Sequence, residues 1–151
     1  MKTTLNKIRS HAPCAEGWEK LLSYLGKTKA DDEPLLITTI IDSNGINDAI
    51  WCLRAVEGKD REIRLFAVWC ARQVQHLMKD QRSLDALDVA ERYANGEATE
   101  AELVAAADAA WAASWDAAAW DAVWSAAEGA RDEMRSRQEI ELRRICEEVE
   151  R

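Results

Sequence analysis

The sequence predicts an all-α fold, a compact bundle of about seven or eight helices around one long alanine- and tryptophan-rich helix. Three observations carry that expectation. In the stretch Ala105–Ala130, four of the seven tryptophans (Trp111, Trp115, Trp120 and Trp124) are embedded in alanine, the strongest helix former. Breakers are scarce, with two prolines and six glycines in 151 residues. Between those breakers, apolar residues recur at i, i+3 and i+4, and no hairpin signal stands among them.

Taken in order, residues 4–12 make a short first helix with Leu5, Ile8 and Ala12 on one side, closed by Pro13. Residues 16–25 place Trp18, Leu21, Leu22 and Leu25 at core spacing, with Gly26 as the stop. A polar loop follows over 27–33. Pro34 fits the first turn of a third helix that ends at Asn44-Gly45. The β-branched run Ile37, Thr38, Thr39, Ile40, Ile41 would suit a strand. An isolated strand has nothing to pair with, however, so helix is the expectation over 34–44. Asn47 is placed to cap a fourth helix holding Ala49, Ile50, Leu53 and Val56 and ended by Gly58. Asp60 opens a fifth, spanning 61–78, with Ile63, Phe66, Ala67, Cys70, Val74, Leu77 and Met78 on one face. Ser83 caps a sixth, which stops at Asn95-Gly96. Thr99 and Glu102 form a capping box that starts the tryptophan helix.

At about 100° per residue, with Trp111 at zero, Trp115 falls near ~40°, Trp120 near ~180° and Trp124 near ~220°. The indoles thus flank a small-residue centre of Ala112, Ala119, Val123, Ala126 and Ala127. Ser114, Asp121, Ser125, Glu128 and Asp132 take the remaining polar sector. Such a helix suits the middle of a bundle; an indole-lined groove for a partner or ligand is the sharper reading. Beyond Gly129 the composition turns charged. Leu142, Ile145, Cys146 and Val149 form a narrow apolar seam, and Glu139/Arg143, Arg144/Glu148 and Glu147/Arg151 are opposite charges at i,i+4. A straight helix over 99–149 would run roughly 75 Å. A domain of this length has a radius of gyration near ~15 Å. The expectation is therefore a single helical domain, 1–151, whose helix breaks near Gly129 so that 130–151 folds back. Projection of that segment would instead make a homodimer seam.

Acidic residues outnumber basic ones 28 to 20, for a net charge of -8. That disfavours nucleic acid and anionic membranes; on charge alone it reads first as a device for solubility and second as a match for a basic protein partner. Cysteines 14, 52, 70 and 146 form no CxxC pair, and residues 1–10 hold no apolar leader core, so a monomer or homodimer with free thiols in the cytoplasm is expected. His11 and Cys14 are separated by Pro13, and the expectation is neither metal nor cofactor. Asp108, Asp116 and Asp121 interrupt the one run long enough to suggest a membrane span.

No Walker loop, GxGxxG, HExxH or nucleophile elbow is present, and no catalytic residue is assigned. Charges do stand among apolar residues at Asp42, Asp48, Arg54, Asp60, Arg61, Arg64, Arg72 and His76. Near a core these read first as a paired structural network, because an unpaired buried charge is costly. Their second reading is a recognition patch with Arg64 and Arg72 as its best members. Asp116, near ~140° on the tryptophan helix, completes the picture: the candidate partner-binding set is Arg64, Arg72, Asp116, Asp121, Glu128 and Asp132.

The runs DSNGINDAIWCLRA and DREIRLFAVWCARQVQHLM, followed by SLDALDVAERYANGEATEAEL and the Ala/Trp tract, resemble a family of small phage and bacterial proteins described as immunity proteins. The resemblance covers roughly residues 42–124. It brings no catalytic motif, and no residue role is carried over from it. It implies an all-α protein of a mobile element that neutralises a toxin or another effector by binding. The expected function is a non-enzymatic, immunity-like inhibitor. The alternatives are a phage anti-defence inhibitor of the anti-CRISPR type, acting on a host nuclease complex, and a small-ligand binder or enzyme using the tryptophan-lined face.

Overall fold

The computed structural model describes residues 1–116 and 120–150, with side chains described everywhere among them except at 111 and 113–131. Among these residues the chain is all-α: eight helices and one pair of two-residue strands. The contacts group into two compact units, Met1–Lys59 with Arg135–Arg151, and Asp60–Met134. A single domain over 1–151 is the expectation from the sequence, and the contacts divide it in two.

The first unit begins with β1 (Lys2–Thr3) and α1 (Leu5–Ser10), whose N-cap Thr4 accepts a hydrogen bond from the Lys7 amide at 3.2 Å. Helix α2 (Ala15–Leu25) ends at Gly26, left-handed at φ 65°, where the Lys27 amide reaches back to the Leu22 carbonyl. The β-branched stretch is divided. Leu35–Leu36 is a strand, β2, paired antiparallel with β1, and α3 covers only Ile37–Asn44. The expectation of helix throughout 34–44 is corrected at its start, because the missing strand partner lay in the first three residues. Pro34 precedes the strand instead of opening the helix.

Gly45 (φ 94°, ψ 174°) both ends α3 and caps α4 (Ile46–Cys52), so Asn47 sits inside the first turn of α4 and does not cap it. A 3-10 turn, Leu53–Ala55, follows. Helix α8 (Trp120–Glu150) runs unbroken through Gly129, against the expected break. A lone glycine costs about 1 kcal/mol in a helix interior, which strong neighbouring helix formers offset. The C-terminal part of α8 belongs to the first unit, where Leu142, Ile145 and Cys146 of the apolar seam are buried within the chain. Arg143 pairs with Asp42 at 2.6 Å and with Glu139 at 3.0 Å, and Arg144 pairs with Glu148. The Glu147/Arg151 pair lies outside the described residues. Ile37, Ile40, Ala49 and Leu142 are fully buried, as nearly are Leu5 and Ile8. Most of the buried apolar side chains described lie in this unit, around α3.

In the second unit, α5 (Asp60–Gln73) stops short of the expected residue 78, and Gln75–Leu77 is a separate 3-10 turn. Helix α6 (Gln81–Ala94) packs against both α5 and α7 (Glu100–Asp116). Its cap is Asp80, whose carboxylate accepts from the Arg82 amide at 2.9 Å, and not Ser83. A carboxylate and a hydroxyl compete within one turn, and the carboxylate of Asp80 also holds the Arg82 guanidinium. The capping box is present: the Thr99 amide donates to Glu102 at 2.8 Å and the Glu102 amide to Thr99 Oγ1 at 3.3 Å. Phe66 and Val68 are buried, and Phe66 stacks on Trp69 at a centroid distance of 6.3 Å. The tryptophan tract is helical over 105–116 and 120–130, while the arrangement of its indoles lies outside the described residues.

Two substitutions test this architecture by urea unfolding. Leu142→Ala is expected to destabilise the first unit by about 2–5 kcal/mol, since it empties a fully buried site. Thr99→Ala removes one capping acceptor from an exposed helix start and is expected to cost about 1 kcal/mol. Equal midpoints for both variants and the parent protein would contradict the packing described.

Candidate functional site

Two features of the structure can meet another molecule: a groove in the first unit and the charge of the second.

The groove, of about 540 Å³, opens between the α1–α2 turn and the α3–α4 junction. Ile8, Leu21 and Ile40 supply its apolar floor, and the indoles of Trp18 and Trp51 line it. Its polar corner is built by close approach. Asn44, the last residue of α3, donates from Nδ2 to the Gly17 carbonyl and to Asp48 Oδ2, both at 2.8 Å. Ser43 Oγ donates to Asn44 Oδ1 at 2.7 Å and holds the amide in that orientation. A Cβ at Gly17 would stand 2.9 Å from Asp48 Oδ2 and 3.2 Å from Cys14 Sγ, so α2 comes this near only because position 17 has no side chain. Asp48 lies in the first turn of α4, where free backbone N–H groups favour a carboxylate. Just outside the lining, the Arg54 guanidinium covers the Trp51 ring at 4.4 Å from its centroid.

Of the thiols, Cys14 is exposed and lines the groove rim. Burial pushes the Cys52 thiol up to about 12, with the charge of Asp48 adding to the shift and Arg54 opposing it. Burial likewise raises Cys146. Both therefore stay protonated at neutral pH and are poor nucleophiles.

Charge is divided between the units. Residues 60–134 hold 15 acidic residues against 7 basic ones, a net of -8, whereas the first unit holds 13 of each. Arg61, Arg64, Arg72, Arg82 and Arg92 are engaged with side chains of their own unit. Arg72, on α5, donates to Glu91 at 2.5 Å and 3.1 Å, to Asp88 at 2.9 Å and to Gln75 at 3.2 Å. Those carboxylates raise its affinity for its proton further. Arg64 lies over the Tyr93 ring at 4.8 Å, and Arg61 Nη2 donates to Asn95 at 2.8 Å. Arg64 and Arg72 thus tie α5 to α6, which is the structural network of the two readings above. Asp132 is exposed on α8. The side chains of Asp116, Asp121 and Glu128 lie outside the described residues.

The residue spacing did not disclose the groove. Its one sequence signal is Gly17, a glycine inside a helical pattern, where close approach offsets a poor helix former. Among the described residues no group of three or more His, Cys, Asp or Glu could hold a metal ion, and no helix is long and apolar enough to cross a membrane. Comparison with protein-family models, with curated proteins and with solved structures finds no match.

Thiol titration of the native protein tests the burial described. Cys14 is expected to react with a disulfide reagent before Cys52 and Cys146, which wait for unfolding. Cys14→Ser should remove the fastest phase; an unchanged fast phase would place Cys14 wrongly.

Proposed function

We propose that the chain is a non-enzymatic binding protein that neutralises a basic protein partner, in the manner of an immunity protein, with the second unit as its acidic face. The observation that supports this most directly is the charge division: the whole net charge of -8 belongs to residues 60–134. The arginines there that bond carboxylates of their own unit leave an outward field dominated by acid. Asp85, Asp88, Glu100, Glu102 and Asp108 are exposed along α6 and α7. Such a surface steers a basic partner toward itself and repels acidic ones, and its effect fades as salt screens it. The resemblance of residues 42–124 to immunity proteins points the same way, and the four free cysteines suit a protein at work in the cytoplasm.

The same acidic surface also favours a second partner class, a basic nucleic-acid channel of a host nuclease complex, which it would occupy in place of phosphates. Affinity purification of the tagged full chain from its host separates the two. The first reading expects a basic protein whose association slows at least about tenfold between roughly 0.05 M and 0.5 M salt. The double variant Asp85→Lys/Asp108→Lys, in exposed positions, should slow association similarly without changing the fold. Recovery of a nuclease complex, released by added nucleic acid, selects the second reading. Binding indifferent to both salt and charge reversal sinks the acidic-face mechanism in either form.

A further inference from the structure

We propose that the groove of the first unit is a binding site for a small organic cation, an ammonium group carried on an aromatic or branched apolar body. This is independent of the acidic face of the second unit. The groove, about 540 Å³, has the size of a small-molecule site and an apolar wall able to strip water from such a body.

Two observations select the charge of the occupant. Asp48 is half-buried at the groove, and its one hydrogen bond comes from the neutral Asn44 amide. The other half-buried carboxylates described in this unit each hold a cation: Asp31 with Lys27, Glu139 with Arg143, Glu141 with Arg144. A partly desolvated carboxylate without a cation gains by meeting one. Second, Trp18 and Trp51 line the same groove, and indole faces are the best aromatic partners for a cation. Trp51 already holds one, the Arg54 guanidinium, outside the lining. Gly17 lets α2 come close enough for its carbonyl to share the Asn44 amide with Asp48, which fixes the carboxylate at the groove.

A metal ion fits this corner poorly. Asn44 spends both N–H groups on Gly17 and Asp48, and its oxygen accepts from Ser43, so one carboxylate and Asn47 remain where a hard cation needs six or so oxygens. An anion would meet Asp48, and a neutral guest would leave that carboxylate with only the Asn44 amide and the first-turn N–H groups of α4. An organic ammonium satisfies carboxylate and indoles together.

The probe is benzyltrimethylammonium, with benzyl alcohol as its neutral counterpart, titrated into the full chain while the indole N–H resonances are followed by NMR. Trp18→Phe and Trp51→Phe assign the two signals. The expected result is a saturable shift at both indoles with the cation, and binding of the alcohol weaker by about tenfold or more. Asp48→Asn keeps an acceptor for Asn44 and should weaken the cation by about tenfold while leaving the alcohol unchanged. Equal binding of cation and alcohol overturns the proposal, as does the absence of a saturable shift at either indole. If Asp48→Asn fails to fold by circular dichroism, the comparison of the two probes on the parent protein decides alone.

Discussion

The first unit depends on keeping α3 dry. Ile37 and Ile40 are fully buried, and each such side chain stabilises the fold by about 1.5–3 kcal/mol relative to exposure. Burial leaves the backbone at the start of α3 in need of partners, and the chain start provides them. The Ile37 amide donates to the Met1 carbonyl at 3.1 Å, and β1 pairs with β2 just before it. Thr3 Oγ1 donates to the Ala55 carbonyl at 2.5 Å, which fixes the far side of the same layer. On the C-terminal flank, Glu150 holds the Met1 amino group and Lys2, and Arg143 holds Asp42 on α3 itself. With α3 fixed, Asn44 at its end is fixed, and through Asn44 so are the Gly17 carbonyl and Asp48. The groove inherits its geometry from the core.

Electrostatics divides the molecule differently. In the first unit, opposite charges balance and several link segments distant in sequence, such as Asp42 with Arg143. In the second, acid exceeds base about twofold, and Arg72 alone engages two carboxylates of α6. These exposed or half-exposed pairs contribute little stability singly. Their effect is to fix the long arginine side chains onto their own surface. The excess carboxylates then define what an approaching molecule senses at a distance, within a Debye length of about 8 Å at physiological salt.

Legibility followed the range of the interactions. The stop at Gly26, the capping box at Thr99–Glu102, the end at Asn95-Gly96 and the pairs Glu139–Arg143 and Arg144–Glu148 of α8 are all local, and the spacing of residues gave them away. The β1–β2 pair did not show, because two residues per strand carry no periodicity and the partners lie far apart in the chain, Leu35 against Thr3 and Leu36 against Lys2. Gly129 misled for a related reason: a glycine marks a helix end only where its neighbours also favour one, and here they are helix formers. Arg64 and Arg72 stand out in the sequence as charges in apolar company. Their partners Tyr93, Asp88 and Glu91 lie on the next helix, and nothing in the spacing says which way an arginine turns. The groove was hidden most completely, since it exists only where Gly17 of α2 meets Asp48 of α4 and brings the indoles of both helices to one cavity.

The first unit is discontinuous, interrupted by the 75 residues from Asp60 to Met134. Its order of assembly during synthesis follows from that. Residues 1–59 are made before residues 60–134, yet their core lacks Leu142 and Cys146 until α8 has been made. Closing a flexible loop of 75 residues costs on the order of 4 kcal/mol beyond a constant. Prior folding of the second unit would replace that floppy loop with a structured one. Residues 1–59 thus become fully buried only once α8 is complete, and for that interval their isoleucines are the surface on which aggregation or chaperone capture would begin.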